Sequence, residues 1–440
     1  MFQTDHSISI NEPVVKMSLA RIRVIQVGDL HLPLTASERT NLDDKDSAFP
    51  TQIKKAISAS PTKTVYKKLY ELIQSGEYDT VLFMGDLTDK GHLKSYSGAV
   101  NFLAQSLQIG KGRKNASQKV GFVPGNHDIN RELSSRPDLR EKFAPLNESL
   151  NSAGLPPLPV FNEVELFVSQ GPASAKIILM NSCWGCGARE FIPEMFRETI
   201  ADAINKIMGS GGVKELSQYY NRQLDTPAFS NESVTRIYQS RQSTPEDTLE
   251  VYVAHHNLLP QRLTRLAPYT ELVNSGAMRA TLTSGSKPTI YLHGHIHEDP
   301  VEIVRTPSGA NLISVAAPMS SDGFNIIEFV FTESGLPLAC MITPWRFNPA
   351  GIFGSSSPIL TSLLSGRRRS RSPSVPNLLI FILERQSVFW SDIESHPRPF
   401  YENQTEALLL EGIETLKADD LIVIDNYTMS PKNWIVRSNI

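Results

Sequence analysis

The chain has 440 residues and a mass of 48.9 kDa, with 40% hydrophobic and 20% charged residues, a formal net charge of -3 and a pI of about 6.4. This length can hold one large domain and a smaller one, and the composition is that of a soluble globular protein. The small net charge excludes an overall electrostatic attraction to nucleic acid or to a membrane surface.

Two segments bear on the location of the protein. Residues 1–20 are too polar for the apolar core of a signal peptide, so we expect a loose leader and a cytoplasmic protein. The apolar run Leu378–Leu383 is too short to cross a bilayer, and we interpret it as a buried strand. The sequence therefore predicts no membrane association, and it leaves the oligomeric state open.

Strands and helices alternate in the first third of the chain. The predicted strands are rich in large apolar residues, and the predicted helices carry apolar residues at helical spacing. In chain order they are strand Ile22–Val27, helix Val65–Ile73, strand Thr80–Met84, helix Ser95–Leu107 and strand Val120–Val123. This alternation predicts α/β layers with crossover connections.

Further strands and helices extend this pattern to about residue 345. We predict strands at Val164–Val168, Lys176–Met180, Leu249–Ala254 and Thr289–Leu292, with helical residues at 193–223 and 268–281. Four later runs, at residues 301–304, 310–315, 324–332 and 338–342, predict antiparallel strands that complete a second sheet.

The composition changes near Arg346. Residues 348–376 are rich in Gly, Ser, Pro and Arg, which is typical of a linker. We therefore expect a main domain at residues 21–346, a linker at 347–376, and a small C-terminal α/β region at 377–440. In that region the run Leu378–Leu383, a helix at Thr405–Leu416 and a strand at Leu421–Asp425 predict a βαβ-like unit.

Side chains that can bind metals follow five of the predicted strands. They are Asp29, His31, Asp86, Asn126, His127, His255, His295 and His297. Because strand ends on one side of an α/β sheet meet at the same crevice, we expect these side chains to converge. Residues two apart in an extended segment share a face, so His295 and His297 can aim at one spot.

The motifs GDLH, GDLTDKG, GNHD, AHH and GHIH occur in this order, each after a predicted strand. In these motifs the chain resembles the calcineurin-like metallophosphoesterase superfamily, over about residues 20–345. The resemblance implies an α/β (α+β) fold, a four-layer sandwich of two mixed β-sheets flanked by helices. It also implies metal-dependent hydrolysis of phosphate esters.

The resemblance further implies a binuclear metal centre of Mn, Fe or Zn ions. Asp29, His31 and His297 would hold the first ion, and Asn126, His255 and His295 the second, with Asp86 bridging both. Carboxylates and imidazoles suit these metals, and a shared carboxylate offsets the repulsion between two adjacent cations. His256 is an alternative to His255, and His293 is expected to pack or to support a ligand.

Two residues beside the ligands are expected to act in catalysis. His127 would contact the phosphoryl oxygens or protonate the leaving group, and Asp128 would orient its ring. Lys90 occupies the place where Ser/Thr protein phosphatases of the superfamily carry an Arg. Since Lys cannot clamp phosphate with two parallel hydrogen bonds, this departure weakens the protein-phosphatase interpretation.

Other candidate residues receive a structural interpretation. Cys183 and Cys186 have the spacing of a zinc knuckle or redox pair, but without a second such pair we expect two ordinary thiols. The basic run Arg367–Arg371 could bind nucleic acid, although a solvated linker is favoured. His6, His92 and His396 have no partner in the sequence.

The favoured function is a phosphodiesterase of nucleotide-type small molecules that acts by attack of metal-bound hydroxide. One alternative is a DNA or RNA nuclease that uses the same site. Another is a non-catalytic scaffold with the same fold, which is disfavoured because every motif residue is present.

Overall fold

A computed structural model of the chain provides the three-dimensional description. The residues that it describes are 19–32, 61–89, 91, 93–130, 133–134, 136, 138–187, 206, 226–245, 247–260, 272–285, 287–297, 301–305, 311–363 and 375–439. They fall into two compact units, a larger one of residues 21–372 and a smaller one that contains residues 373–440.

The first β-sheet of the larger unit combines parallel and antiparallel strands. Its members are β1 (Arg21–Val27), β2 (Thr80–Phe83), β3 (Lys119–Phe122), β10 (Gly323–Phe331), β11 (Pro337–Phe347), β12 (Phe353–Ser355) and β13 (Ile359–Ser362). The spatial order is β12-β11-β10-β1-β2-β3, and β13 also pairs with β11. Strands β1, β2 and β3 are parallel, as crossover connections require, whereas β10 and β11 are antiparallel.

The second sheet has the same mixed character. Its strands are β4 (Val164–Gln170), β5 (Ala173–Leu179), β6 (Leu249–Val253), β7 (Thr289–His293), β8 (Val301–Arg305) and β9 (Asn311–Ala316). Strands β5, β6, β7 and β9 are parallel, while β4 and β8 are antiparallel edge strands in the order β4-β5-β6-β7-β9-β8. Both sheets are mixed, as expected.

Helices cover the outer faces of the two sheets. Helices α1 (Pro61–Ser75), α2 (Leu93–Leu107) and α3 (Ala144–Ser152) share one buried core with β1, β2 and β3. Helices α4 (Asn231–Ser243) and α5 (Ser275–Leu282) pack on β5, β6 and β7 in a second core. The four-layer sandwich is therefore confirmed, and apolar burial along each helix face accounts for its cohesion.

A buried amide joins the inner faces of the two sheets. Gln26 of β1 is fully buried, and its Nε2 donates to the carbonyls of His293 and Val315 in the second sheet, at 3.2 and 3.0 Å. Its Oε1 accepts from Asn325 Nδ2 at 2.9 Å. Since every polar group is paired, the network fixes the position of one sheet against the other without a burial penalty.

Two predictions about the later part of the chain were wrong. Residues 353–355 and 359–362 of the expected linker are strands β12 and β13, because pairing with β11 satisfies their backbone groups. The run Leu378–Leu383 lies in helix α6 (Val375–Arg385) rather than in a strand. A short apolar run cannot distinguish the two, and the buried positions Leu378, Phe381 and Ile382 recur at helical spacing.

The C-terminal unit contains helices α6, α7 (Trp390–Glu394) and α8 (Glu406–Ala418) and a small sheet. The sheet consists of β14 (Ser387–Phe389), β15 (Ile422–Asp425) and β16 (Ile435–Ser438) in the order β14-β16-β15. Both pairings are antiparallel, so the expected βαβ-like unit was wrong. Across the described part of the chain, no helix has the length and apolar character needed to cross a membrane.

A buried ion pair between α4 and β6 gives a test of this architecture. Arg241 and Glu250 are 2% and 1% exposed and lie 2.7 Å apart, and Arg241 also donates to the Ser284 and Lys287 carbonyls. We expect Arg241→Met to lower the free energy of unfolding by roughly 3–5 kcal/mol, because Glu250 is left buried and unpaired. Urea denaturation measures the change.

The double variant R241M/E250L should recover much of this loss, since it removes the uncompensated charge. Arg140→Ala, which breaks an exposed pair with Asp138, is the matched control and should leave the urea midpoint unchanged. Equal losses in the buried and exposed variants would contradict the assigned role of burial.

Candidate metal centre

The loops that follow five strands meet at one end of the sandwich. The Leu30 and His31 amides both donate to the Asp86 carbonyl, which ties the loop after β1 to the loop after β2. The Gly294 amide donates to the His255 carbonyl, which ties the loop after β7 to the loop after β6. The carboxyl ends of parallel strands in both sheets therefore face one crevice, as the sequence predicts.

Side chains of these loops also join the two sheets. The His295 amide donates to both carboxylate oxygens of Asp29, at 3.2 and 3.1 Å. The His255 ring pairs through Nδ1 with the Met84 carbonyl at 2.7 Å. Because Asp29 and Met84 follow strands of the first sheet, these bonds fix the spacing between the two halves of the site.

Four of the predicted ligands have a backbone conformation that is costly for a residue with a side chain. The φ angles are 46° at His31, 49° at Asp86, 67° at His295 and 55° at His297. Such strain persists only where the surrounding structure enforces it, and it concentrates at functional sites. Strand β7 ends at His293, so the GHIH segment is a loop and the expected extended geometry was wrong.

Asp29, His31 and His297 form one group of donors, whose ligand atoms all lie within 4.8 Å of one another. The two histidine Nε2 atoms are 3.5 Å apart, and His297 Nε2 is 3.6 Å from Asp29 Oδ1. Two donors bound to one ion at about 2.1 Å lie roughly 3–3.5 Å apart, so this spacing fits a shared ion. Burial lowers the pKa of His31 and favours the neutral imidazole that binds metals.

Asp86, Asn126 and His255 form a second, more deeply buried group. His255 Nε2 lies 3.0 Å from Asn126 Oδ1 and 3.4 Å from Asp86 Oδ2. Because Nδ1 of His255 is occupied by the Met84 carbonyl, Nε2 is the atom presented to the other two donors. The ring of His295 lies beside that of His255, with centroids 5.1 Å apart.

The Asp86 carboxylate lies between the two groups. Its Oδ2 is 3.4 Å from His255 Nε2 and 3.9 Å from His31 Nε2, so one oxygen faces both. Burial favours the neutral forms of Asp86 and His255, but their mutual attraction dominates. It lowers the pKa of Asp86 well below its ordinary value and helps to raise the pKa of His255 to about 10. A positive charge is therefore stabilised here, as a cation site requires.

The predicted catalytic pair lies beside this cluster, with a different contact from the expected one. The His127 ring is exposed, pairs through Nδ1 with the Asp89 carbonyl at 2.7 Å, and lies 4.8 Å from the His31 ring. Asp128 is buried and accepts hydrogen bonds from the Thr88 and Gly125 amides. Burial, together with the negative charge of Asp86, raises the pKa of Asp128 to about 6.

Sequence reasoning therefore missed Asp89 as the residue that holds the His127 ring. The contact is to the backbone carbonyl of Asp89, so no side chain of GDLTDKG signals it in the sequence. Asp128 instead joins the loops after β2 and β3, through hydrogen bonds with Thr88 and Gly125.

The remaining candidates are His256, His293 and His396, together with residues outside the described part of the chain. His256 turns toward Ser182, which leaves His255 facing Asp86. His293 is buried, and burial lowers its pKa to about 4, which fits a packing role. His396 lies in the C-terminal unit and stacks on Phe400. Residues His6, Lys90, His92 and Arg367–Arg371 lie outside the described part of the chain.

The sandwich and its nitrogen and oxygen donors define a protein built to hold metal ions at the ends of parallel strands. The chain belongs to the calcineurin-like phosphoesterase family, whose model matches residues 22–299. It is a metal-dependent phosphoester hydrolase with candidate ligand groups for a dinuclear centre. None of the curated proteins matches the chain.

Several solved structures are similar in fold. A dimetal phosphatase from Danio rerio has 15% identity and a TM-score of 0.45, and the match covers 78% of this chain and 99% of that one. Phosphopantetheinyl hydrolase from Mycobacterium tuberculosis has 14% identity and a TM-score of 0.36, with 69% and 92% covered. NAD nucleotidase from Haemophilus influenzae has 11% identity and a TM-score of 0.37, with 77% of this chain but only 60% of the nucleotidase covered. Sequence identities and TM-scores this low do not indicate the substrate of this chain.

The close approach of two loops at Gly125 gives a test of the site. A Cβ there would lie 2.0 Å from Asp86 Oδ1 and 2.2 Å from the Asp86 amide nitrogen. We expect Gly125→Ala to displace the carboxylate and to lose most of the bound metal, measured per chain by plasma mass spectrometry. Gly98→Ala in α2 is the matched control, because a Cβ there meets nothing within 4 Å. Full metal retention in Gly125→Ala would argue against Asp86 as a ligand.

Proposed function

We propose that the protein is a phosphodiesterase that acts on small nucleotide-type diesters at a binuclear centre. Asp29, His31 and His297 hold one ion, and Asn126, His255 and His295 hold the other, with Asp86 shared. The observation that carries this proposal is the position of Asp86 Oδ2, which faces His31 Nε2 at 3.9 Å and His255 Nε2 at 3.4 Å.

The donor set fits Mn, Fe or Zn ions. It combines imidazole nitrogens, two carboxylates and one amide oxygen, which are the ligands that these metals accept. When bound, a pair of such ions supplies a nucleophile at neutral pH and stabilises the charge that develops on the phosphoryl oxygens. That the ions are Mn, Fe or Zn is part of this proposal.

The protein side chains orient the substrate and handle the proton of the leaving group. His127 projects an exposed ring beside the first donor group, and its Nδ1 is held by the Asp89 carbonyl. Because that carbonyl accepts the Nδ1 proton, Nε2 would donate to a phosphoryl oxygen or to the leaving oxygen when both ring nitrogens are protonated. Asp128 positions the loop that carries His127, through its bonds to the Thr88 and Gly125 amides.

Lys90 supports a small diester rather than a phosphoprotein substrate. It stands where protein phosphatases of the superfamily carry an Arg, and a lysine binds phosphate as a point charge. A phosphodiester carries one negative charge fewer than a monoester and depends less on a two-pronged cationic clamp. Diesters of nucleotides are therefore the preferred class.

A substrate panel tests this proposal. The Mn-loaded protein should hydrolyse bis-p-nitrophenyl phosphate and cyclic nucleotides faster than p-nitrophenyl phosphate or single-stranded DNA. Asp86→Asn should lower turnover of every substrate to the background rate, because the shared charge is lost. Undiminished turnover in this variant would exclude the two-metal mechanism. Turnover of DNA alone, lost on deleting Arg367–Arg371, would identify a nuclease instead.

The role of His127 has its own test. We expect His127→Gln to lower kcat by about 10²–10⁴-fold while the metal content per chain stays unchanged. The decrease should be smaller for a diester with a p-nitrophenolate leaving group, which needs less protonation. His396→Gln, which changes a histidine of the C-terminal unit, is the control and should keep full kcat. Equal losses for good and poor leaving groups would oppose the proton-donor role.

A further inference from the structure

A second group of potential metal ligands lies beside the site. Cys183, Cys186 and His256 are all buried, and one donor atom of each lies within 4.8 Å of the others. The cysteines are not joined in a disulfide. Their spacing alone gave no reason to expect a metal, because the third ligand comes from the loop after β6, about 70 residues later.

The turn that carries both thiols is fixed in place. The Cys186 amide donates to the Cys183 carbonyl at 3.1 Å and closes the turn. Lys142 is fully buried, and its Nζ donates to the carbonyls of Trp184 and Cys186, both at 2.6 Å. Since these bonds occupy the backbone oxygens of the turn, the thiols are presented by a rigid support.

The spacing of two of the donors is close to that of ligands on one zinc ion. His256 Nδ1 lies 3.9 Å from Cys183 Sγ, and ligands on one zinc ion at about 2.0 and 2.3 Å would lie roughly 3.5 Å apart. Ser182 Oγ forms a hydrogen bond with the same nitrogen at 2.9 Å, and an ion on Nδ1 would take the place of this bond. Two thiolates neutralise a divalent ion, so the site can remain buried without net charge.

The His256 ring has a further unusual feature. It is 1% exposed, and its Nε2 has no hydrogen-bond partner among the described residues. Its centroid lies 4.8 Å from that of His255 and 4.4 Å from that of His295. A metal ion on Nδ1 would require Nε2 to carry the ring proton.

We infer that Cys183, Cys186 and His256 form a thiolate-rich zinc site, separate in composition from the dinuclear centre. Soft thiolates select zinc, whereas the carboxylates and imidazoles around Asp86 accept Mn and Fe as well. The site adjoins the catalytic loops. Cys183 Sγ lies 3.2 Å from the Pro124 carbonyl, directly before the GNHD loop, and His256 follows the ligand His255. Zinc would therefore hold the loop after β3 and the loop after β6 in position.

Cobalt spectroscopy tests this site without reference to activity. The full-length protein is stripped of metal and titrated with Co²⁺ under reducing conditions. We expect a thiolate-to-cobalt charge-transfer band in the near ultraviolet, which nitrogen and oxygen ligands do not produce. The band should fall by about half or more in Cys183→Ala and in Cys186→Ala. It should persist in Asp86→Asn, so this result is independent of the proposed phosphodiesterase activity.

Cys340→Ala is the matched control, because Cys340 is equally buried but lies in β11 and should leave the band unchanged. Should the Cys183 and Cys186 variants fail to fold, the unmodified protein still decides the question. A mercurial reagent should then release about one equivalent of zinc per chain as the thiols react. Absence of the band in the unmodified protein, its retention in both variants, or a native Cys183–Cys186 disulfide would each overturn the inference.

Discussion

The attraction between the buried Asp86 carboxylate and the imidazoles around it is the interaction on which the rest of the site depends. A carboxylate with 2% exposure is strongly unfavourable unless charges and donors compensate for its lost hydration. His255 supplies the charge, and the His127 amide donates to Oδ1 at 2.8 Å. The same groups are suited to a cation, because they combine negative charge with nitrogen and oxygen donors.

This interaction requires both sheets to stay in register. Asp86 lies in the loop after β2 of the first sheet, whereas His255 lies in the loop after β6 of the second. Gln26 joins the sheets through the His293 and Val315 carbonyls, and Asp29 joins them through the His295 amide. The left-handed backbone at Asp86 and His295 is sustained by this framework, because neither strand end could enforce the strain alone.

The loop after β3 connects two kinds of donor set. On one side Asn126 faces His255, and on the other the Pro124 carbonyl faces Cys183. The loop after β6 is shared in the same way, since His255 faces Asp86 and His256 faces Ser182 and Cys183. A change in the position of either donor set therefore affects the other, because only a few residues separate them. The two loops have little free volume between them, since Gly85 and Gly125 are in backbone contact.

The sequence by itself determined the alternation of strands and helices in α/β layers and the polar residues that follow the strands, because apolar periodicity and turn glycines act over a few neighbouring residues. The four-layer sandwich was implied by the family resemblance. The resemblance of the five motifs then gave the ligand assignment. Local patterns could not show that Leu378–Leu383 is helical, or that β12 and β13 extend the first sheet. Only the tertiary structure brought Asp89 to His127 and His256 to Cys183. Those contacts depend on how separate strands pack, and no spacing along the chain encodes that packing.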